Sequence, residues 1–464
     1  MALLITNGRI VTATDDYIAD IYCEGQTITR IEREIDPATL PADTEQIDAT
    51  GRFVFPGFID PHVHVYLPFM GTYAKDDWAS VSRAALVGGT TTLLEMICPG
   101  KTDPAIEAYE QWMEKARGIA SCDFGFHMGV TRWDEATERQ LREIVQRGTT
   151  SFKVFLAYKG ALGVDDRELY HALKLAGELG VIVTAHCENE TLVAERQAEL
   201  VAAGNTGPEW HEPSRPVQVE AEGVHHLMSF AELTETAVYA VHTSCEPAVR
   251  EIERARQRGV RAYTEAVIPH FVLDRTDAER PGFEGAKYVM SPPLLDVSHQ
   301  HHLWNALRSR SIASVATDHA PFDFETQKRM GQPPQCNFTA IPNGIPSVEH
   351  RVDLLYTHGV TTGRIDLHAF VDAASTQAAS IFGLKGKGPS AVGADADLVI
   401  YDGDYRGTIS ADRHHMATDY SAFEGWEIKG RSELVTVRGA VMVRDGQFVG
   451  EQGNGRFVPR EAVH

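Results

Sequence analysis

Hydrophobic and polar positions alternate at both ends of the chain and form longer apolar runs in between. LLITNGRIVT and YIADIYCEGQTITRIE alternate with a period of two and are broken by Asn-Gly and Glu-Gly-Gln, which predicts short strands and tight turns over 1–52. ADLVIYD and LVTVRGAVMVRDGQFVG repeat that pattern over 390–464. Between these ends, eight apolar runs read as strands: Phe53–Asp60, Thr90–Ile97, Cys122–Val130, Thr150–Ala157, Val181–His186, Ala237–His242, Val260–Glu265 and Ala313–Asp318. Segments with helical spacing follow most of them, such as DPAIEAYEQWMEKARG, DDRELYHALKLAGELG, EPAVREIERARQRG and SVEHRVDLLYTHGV. Several open on Asp or Ser and close on Gly, as capped helices do. Eight nearly continuous apolar strands with helical crossovers predict a (β/α)8 TIM-like barrel over 53–389. The two β-rich ends then form one small β-sandwich domain, 1–52 with 390–464. No solenoid repeat or low-complexity tract interrupts this pattern.

Composition narrows the function classes. The 464 residues are 43% hydrophobic and 23% charged, as in soluble globular proteins. A formal net charge of −22 without a basic stripe argues against nucleic acid as a partner. Six scattered cysteines, with no CxxC pair, point to a reducing cytoplasm and no thiolate metal site. MALLITNGRI lacks a basic n-region and is not expected to be a signal peptide. No run is long enough for a membrane span.

The chemistry gathers where a barrel places it, at the C-terminal strand ends. The first strand ends in Asp60-Pro-His62-Val-His64, the fifth in His186, the sixth in His242 and the eighth in Asp318-His319. His62 and His64 are two apart, so both imidazoles face the same side of an extended strand. A His-X-His pair is a weak signal alone: His299-Gln-His301 also matches, but it lies in the polar run DVSHQHH and reads as solvated surface at a helix start. The set of strand-end ligands carries the metal reading. Imidazole and carboxylate without thiolate suit zinc and other borderline divalent ions.

Lys153 is the anomaly. It sits in SFKVFL, inside an apolar strand, where an unpaired ammonium is costly. A desolvated lysine has a lowered pKa and a populated free amine. That amine can add carbon dioxide to form a carbamate whose two oxygens reach two metals, and six candidate ligands exceed the needs of one. A Schiff-base lysine or one reaching a carboxylate at the barrel mouth are the other readings; neither accounts for the histidines.

Three motif matches lack their context. Asp123-Phe-Gly has no other kinase element. His186-Cys-Glu188 has no PCxxC partner. The glycines at 386–388 are followed by Pro389, where a dinucleotide-binding helix should begin.

GFIDPHVH, SFKVFLAYK, TAHCEN, VHTS and ATDHAPF resemble the cyclic amidohydrolases, within the amidohydrolase superfamily. PFMGT (68–72), GNTGPEWHEPSRP (204–216), YVMSPPL (288–294), IPNGIPSVE (341–349) and YSAFEGWEIKGR (420–431) resemble the dihydropyrimidinase and D-hydantoinase branch, almost over the full length. The resemblance implies one metal on His62, His64 and Asp318, a second on His186 and His242, and Lys153 bridging them as N6-carboxylysine. It implies Asp318 as proton shuttle, Tyr158 as donor to the oxyanion, and Ser291 and Asn343 on the substrate's amide edge. Leu67, Phe69 and Phe155 are expected to shape the pocket for a ring substituent. It also implies a homotetramer. Tyr66 stands where dihydroorotases have arginine and allantoinases usually have asparagine, which argues against both branches. STQAAS (375–380) departs from the more usual STNPAK, a change expected to affect packing only. A non-catalytic scaffold of this fold would lack the ligands, and all six are present.

Overall fold

The computed structural model describes residues 2–464. Eight parallel strands form a nearly closed barrel: β1 (Phe58–Val63), β2 (Thr90–Ile97), β3 (Asp123–Gly129), β4 (Ser151–Phe155), β5 (Ile182–His186), β6 (Val238–Ala240), β7 (Ala262–Val267) and β8 (Ser314–Ala316). Each pairs with its sequence neighbour. All eight expected barrel strands are present, most of them one or two residues shorter at an end.

The first differs in kind. The run expected as one strand over Phe53–Asp60 is two. Phe53–Pro56 pairs with Ala2–Val11 and Leu398–Thr408 in a separate nine-stranded sheet built from both chain ends. Gly57 marks the break: a Cβ there would lie 2.2 Å from Thr91 Oγ1 and 2.9 Å from the Asp397 Cβ. Only glycine lets the chain pass between sheet and barrel here. The terminal sheet encloses its own apolar cluster, including Leu3, Ile10, Ile21, Val54, Leu398 and Leu434.

Short β8 is completed by side chains rather than by more ladder. Asp60 accepts from Thr317 N at 3.2 Å and Thr317 Oγ1 at 2.6 Å, and His64 N donates to His319 O at 2.9 Å. These bonds close the seam between β8 and β1 and fix the two strand ends that carry His62, His64 and Asp318.

The barrel floor is closed by the C-terminal segment. Arg460, buried, donates to Phe126 O and, at 3.0 Å, to Ser151 Oγ. Ser151 Oγ lies 2.7 Å from His127 Nδ1, and His127 Nε2 lies 3.0 Å from Pro61 O. A carbonyl only accepts, so Nε2 carries the ring proton and Nδ1 accepts from the serine.

Helix Asp166–Leu179 forms where expected, with a capping box from Asp165 and Glu168 and Gly180 at φ 66° closing it. His299 and His301 lie in the first turn of helix Ser298–Arg308, half-buried and exposed respectively, and join no ligand cluster. No helix among the described residues is long and apolar enough to cross a membrane.

Candidate active site

The strand ends meet in one cleft. His62, His64, Lys153, His186, His242 and Asp318 all line it. So do Leu67, Phe69, Phe155, Tyr158, Ser291 and Asn343. Every expected site residue therefore reaches one space, drawn from β1, β4, β5 and the turns after β6, β7 and β8.

Asp318 Oδ1 lies 3.0 Å from His62 Nε2 and 3.1 Å from His64 Nε2. The ligand atoms of these three buried residues all fall within 4.8 Å of one another, close enough to hold one ion. On the other side, His186 Nδ1 and His242 Nε2 are 2.9 Å apart, near enough to serve a single ion. Lys153 Nζ stands in this region, fully buried and without a hydrogen-bond partner. Burial draws its pKa down from 10.5 to about 8, against the pull of Asp318 and Glu265. The free amine is therefore accessible near neutral pH.

Two carboxylates that the sequence reading passed over set the histidines. Glu265 on β7 sits 2.5 Å from His62 Nδ1 and accepts from Tyr239 Oη at 2.8 Å and His242 N at 3.2 Å. The His62 proton therefore belongs on Nδ1, which leaves Nε2 free toward the cleft. Glu188 Oε2 sits 2.7 Å from His186 Nε2 and 2.6 Å from Arg215 Nη1. Burial pushes the Glu188 carboxyl up, but Arg215 and His186 outweigh it and hold its pKa at about 2. An ionised Glu188 only accepts, so His186 keeps its proton on Nε2 and presents Nδ1 as a lone pair. A histidine that ligates a metal needs such a carboxylate on its far nitrogen to fix the tautomer and the ring. Glu265 ends an apolar strand run as the ligands do, and that position was the available signal. Arg215, in a turn-rich stretch, carried none.

Three site residues have left-handed backbone without being glycine: His242 at φ 40°, Tyr158 at 63° and Asp318 at 49°. Such residues cost about 1–3 kcal/mol each and persist where neighbours over-determine them. Here the bonds from His242 N to Glu265, from Tyr158 N to Glu190 Oε2 at 2.5 Å, and from Thr317 N to Asp60 do so.

The aromatic and amide groups form the outer rim. The Tyr158 ring stands edge-on to Phe69 at 5.3 Å. Asn343 Nδ2 donates to Ser291 Oγ at 2.9 Å, joining two loops across the cleft. Tyr66 does not line the cleft. Its ring stacks on Tyr73 at 5.4 Å under Lys115 Nζ, which lies 3.6 Å from the ring centre, and it faces a neighbouring hollow. The residue that separated this chain from its cousins in the sequence thus acts beside the site rather than in it.

The donor set fits divalent metals: imidazoles and a carboxylate, no thiolate, and buried His62 Nε2 and Lys153 Nζ without hydrogen-bond partners. A second acidic group does not. Asp123, Asp395 and Asp397 also converge, but Lys387 Nζ lies among them at 2.6, 2.9 and 2.7 Å. That cluster is an ion-paired junction between the barrel and the terminal sheet.

A model of the Amidohydrolase family matches residues 53–442. The chain belongs to the amidohydrolase family. It is 44% identical over 462 residues to a D-hydantoinase of Geobacillus stearothermophilus, covering 99% of this chain and 97% of that protein. It is 36% identical to a dihydropyrimidinase of Rattus norvegicus, covering 99% and 89%. Among solved structures, a D-hydantoinase (dihydropyrimidinase) from Thermus sp. superposes with a TM-score of 0.96 at 58% identity, covering 99% of each chain. The resemblance read from the motifs is thus matched along essentially the whole chain.

Proposed function

We propose that the protein is a cyclic amidohydrolase of the dihydropyrimidinase and hydantoinase type. It opens the ring amide of 5-substituted hydantoins or 5,6-dihydropyrimidines, giving N-carbamoyl amino acids. The observation that carries this reading is the single cleft in which six metal-type ligands, Tyr158, Ser291 and Asn343 converge. His62, His64 and Asp318 would hold one divalent ion, and His186 and His242 a second. Lys153 would bridge them as a carbamate formed with carbon dioxide, which its low pKa and unpartnered Nζ support. Zinc suits these ligands. When bound, such ions polarise the ring carbonyl and supply a nucleophile at neutral pH.

The chain's own residues do the rest. Asp318, whose Oδ1 stands between His62 and His64 at the cleft, would accept the proton of the attacking water. It returns that proton to the leaving ring nitrogen. The Tyr158 phenol donates to the oxyanion that develops on the carbonyl. Ser291 and Asn343 hold the amide edge. Leu67, Phe69 and Phe155 give the substituent an apolar wall. Among the described residues no arginine lines the cleft; dihydroorotate would need a cation for its carboxylate, so the lining favours neutral rings.

In this reading, the barrel from β1 to residue 389 carries the chemistry, and the terminal sheet, 1–56 with 390–464, supports it. The family resemblance implies a homotetramer, and the unpaired cysteines suit a reducing cytoplasm. The test is to offer the purified protein dihydrouracil, allantoin, dihydroorotate and a set of 5-substituted hydantoins, with metal analysis alongside. Ring-opening of a hydantoin or dihydrouracil with about two metals per chain is expected. Absence of both turnover and bound metal would overturn the reading.

A further inference from the structure

The loop after β8 sends one cation into the interior. Lys328 is fully buried, and its Nζ donates to Val289 O at 2.8 Å and Gly344 O at 2.7 Å. Only burial acts on its pKa, drawing it well down; no carboxylate among the described residues opposes that. Burying a cation without a counter-ion is expensive, and a methionine would fill the same volume more cheaply. What the lysine adds is two directed donors.

Those donors join two particular loops. Val289 lies two residues before Ser291, and Gly344 directly follows Asn343. The loops also meet through Gly344 N, which donates to Val289 O at 2.9 Å, and through Asn343 Nδ2 to Ser291 Oγ at 2.9 Å. Gly344 itself is cramped: a Cβ would lie 2.2 Å from Ala320 O, and its φ is 154°. The lysine thus anchors the two loops without itself lining the cleft. Its own loop is held by Lys328 N donating to Asp323 O at 2.8 Å.

We propose that Lys328 is a positioning residue that sets the spacing of Ser291 and Asn343, and so the edge on which the substrate's ring amide is held. This rests on the reading of Ser291 and Asn343 as substrate contacts. A group that fixes binding geometry without touching the reacting atoms acts through ground-state affinity, so its loss should appear in KM.

The experiment compares wild type with Lys328→Met and Lys328→Gln on dihydrouracil and on a hydantoin that wild type opens. Melting temperature and metal content are measured on the same samples. The expected result for Lys328→Met is a KM raised about tenfold or more, a kcat within about threefold, and unchanged metal content. Lys328→Gln, which keeps an NH2 donor on a shorter, stiffer side chain, should fall between. A folded, fully metallated Lys328→Met with wild-type KM would overturn the proposal. So would loss of kcat in step with loss of metal, since the lysine would then act on the metal-ligand frame. If neither variant folds, Lys328 is a scaffold element and the proposal fails. Absence of turnover in wild type would instead sink the functional reading, and it is seen before any variant is made.

Discussion

Glu265 Oε1 lies 2.5 Å from His62 Nδ1, and the same carboxylate oxygen accepts from His242 N at 3.2 Å. One residue on β7 therefore orients a ligand of each candidate metal position. Glu188 does the matching work for His186, with Arg215 keeping it ionised. Glu265 thus touches both positions and Glu188 only the second, which makes the second separable by mutation.

Glu265→Gln and Glu188→Gln should each weaken metal retention about 10–100-fold, the usual effect of losing a carboxylate behind a ligating histidine. Glu188→Gln should act chiefly on the ion held by His186 and His242, leaving the His62, His64 and Asp318 position filled. Metal content after dialysis against graded chelator checks this. Two full equivalents retained in both variants would show the carboxylates to be structural only.

If Lys153 bridges two metals as proposed, Lys153→Ala should lose both bound metal and activity, by about 10³-fold or more in kcat. Added short carboxylates, such as acetate or propionate, should restore part of the rate by occupying the gap. A variant with two metals and full rate would remove Lys153 from the mechanism.

Tyr158→Phe keeps the ring against Phe69 and removes only the hydroxyl. If that hydroxyl serves the oxyanion, kcat should fall about 10²–10³-fold with little change in KM. A change confined to KM would make Tyr158 a rim contact.

The barrel was legible because its strands are buried on both faces and read as unbroken apolar runs, so the ends of those runs located the ligands. Lys153 stood out because a charge contradicts such a run. The break at Gly57 was not legible: Phe53–Pro56 runs on through Gly57 into Phe58 and Ile59 as one apolar stretch, and only the approach of Thr91 and Asp397 divides it. Arg215 and Lys328 were invisible for a related reason. Each is a charge in a polar, turn-rich stretch, where a solvated side chain is the ordinary expectation, and only long-range contacts bury it. The tail did not announce its role either, since nothing local marks Arg460 as the residue that reaches Ser151.

Lys387 binds Asp123 of the barrel to Asp395 and Asp397 of the terminal segment, with Arg438 also on Asp123. Lys387→Met should destabilise the fold by about 3–5 kcal/mol, because it leaves buried carboxylates without their shared cation. Urea unfolding measures the loss. Triple replacement of Lys387, Asp395 and Asp397 by apolar residues should recover much of it, whereas a single-site loss under about 1 kcal/mol would mean that water already shares the cluster.

Asp353 gives the stability of the protein a defined pH dependence. Burial raises its carboxyl from 3.8 to about 8, although Tyr401 Oη donates to it at 3.2 Å. The native state thus keeps a proton that the unfolded chain releases near pH 4. This contribution is complete below about pH 4, declines as pH rises toward about 8, and is flat beyond. Asp353→Asn preserves an acceptor for Tyr401 and has no proton to lose. Other buried carboxyls, such as Glu95 and Glu220, are also raised, to about 8 and about 7, so the informative quantity is the difference between variant and wild type. Melting temperatures taken from pH 4 to 9 should show the Asn variant gaining on wild type across that window, most steeply between 5 and 8. Parallel curves would mean that Asp353 is ionised in the fold, with a counter-charge or water supplying what burial removes.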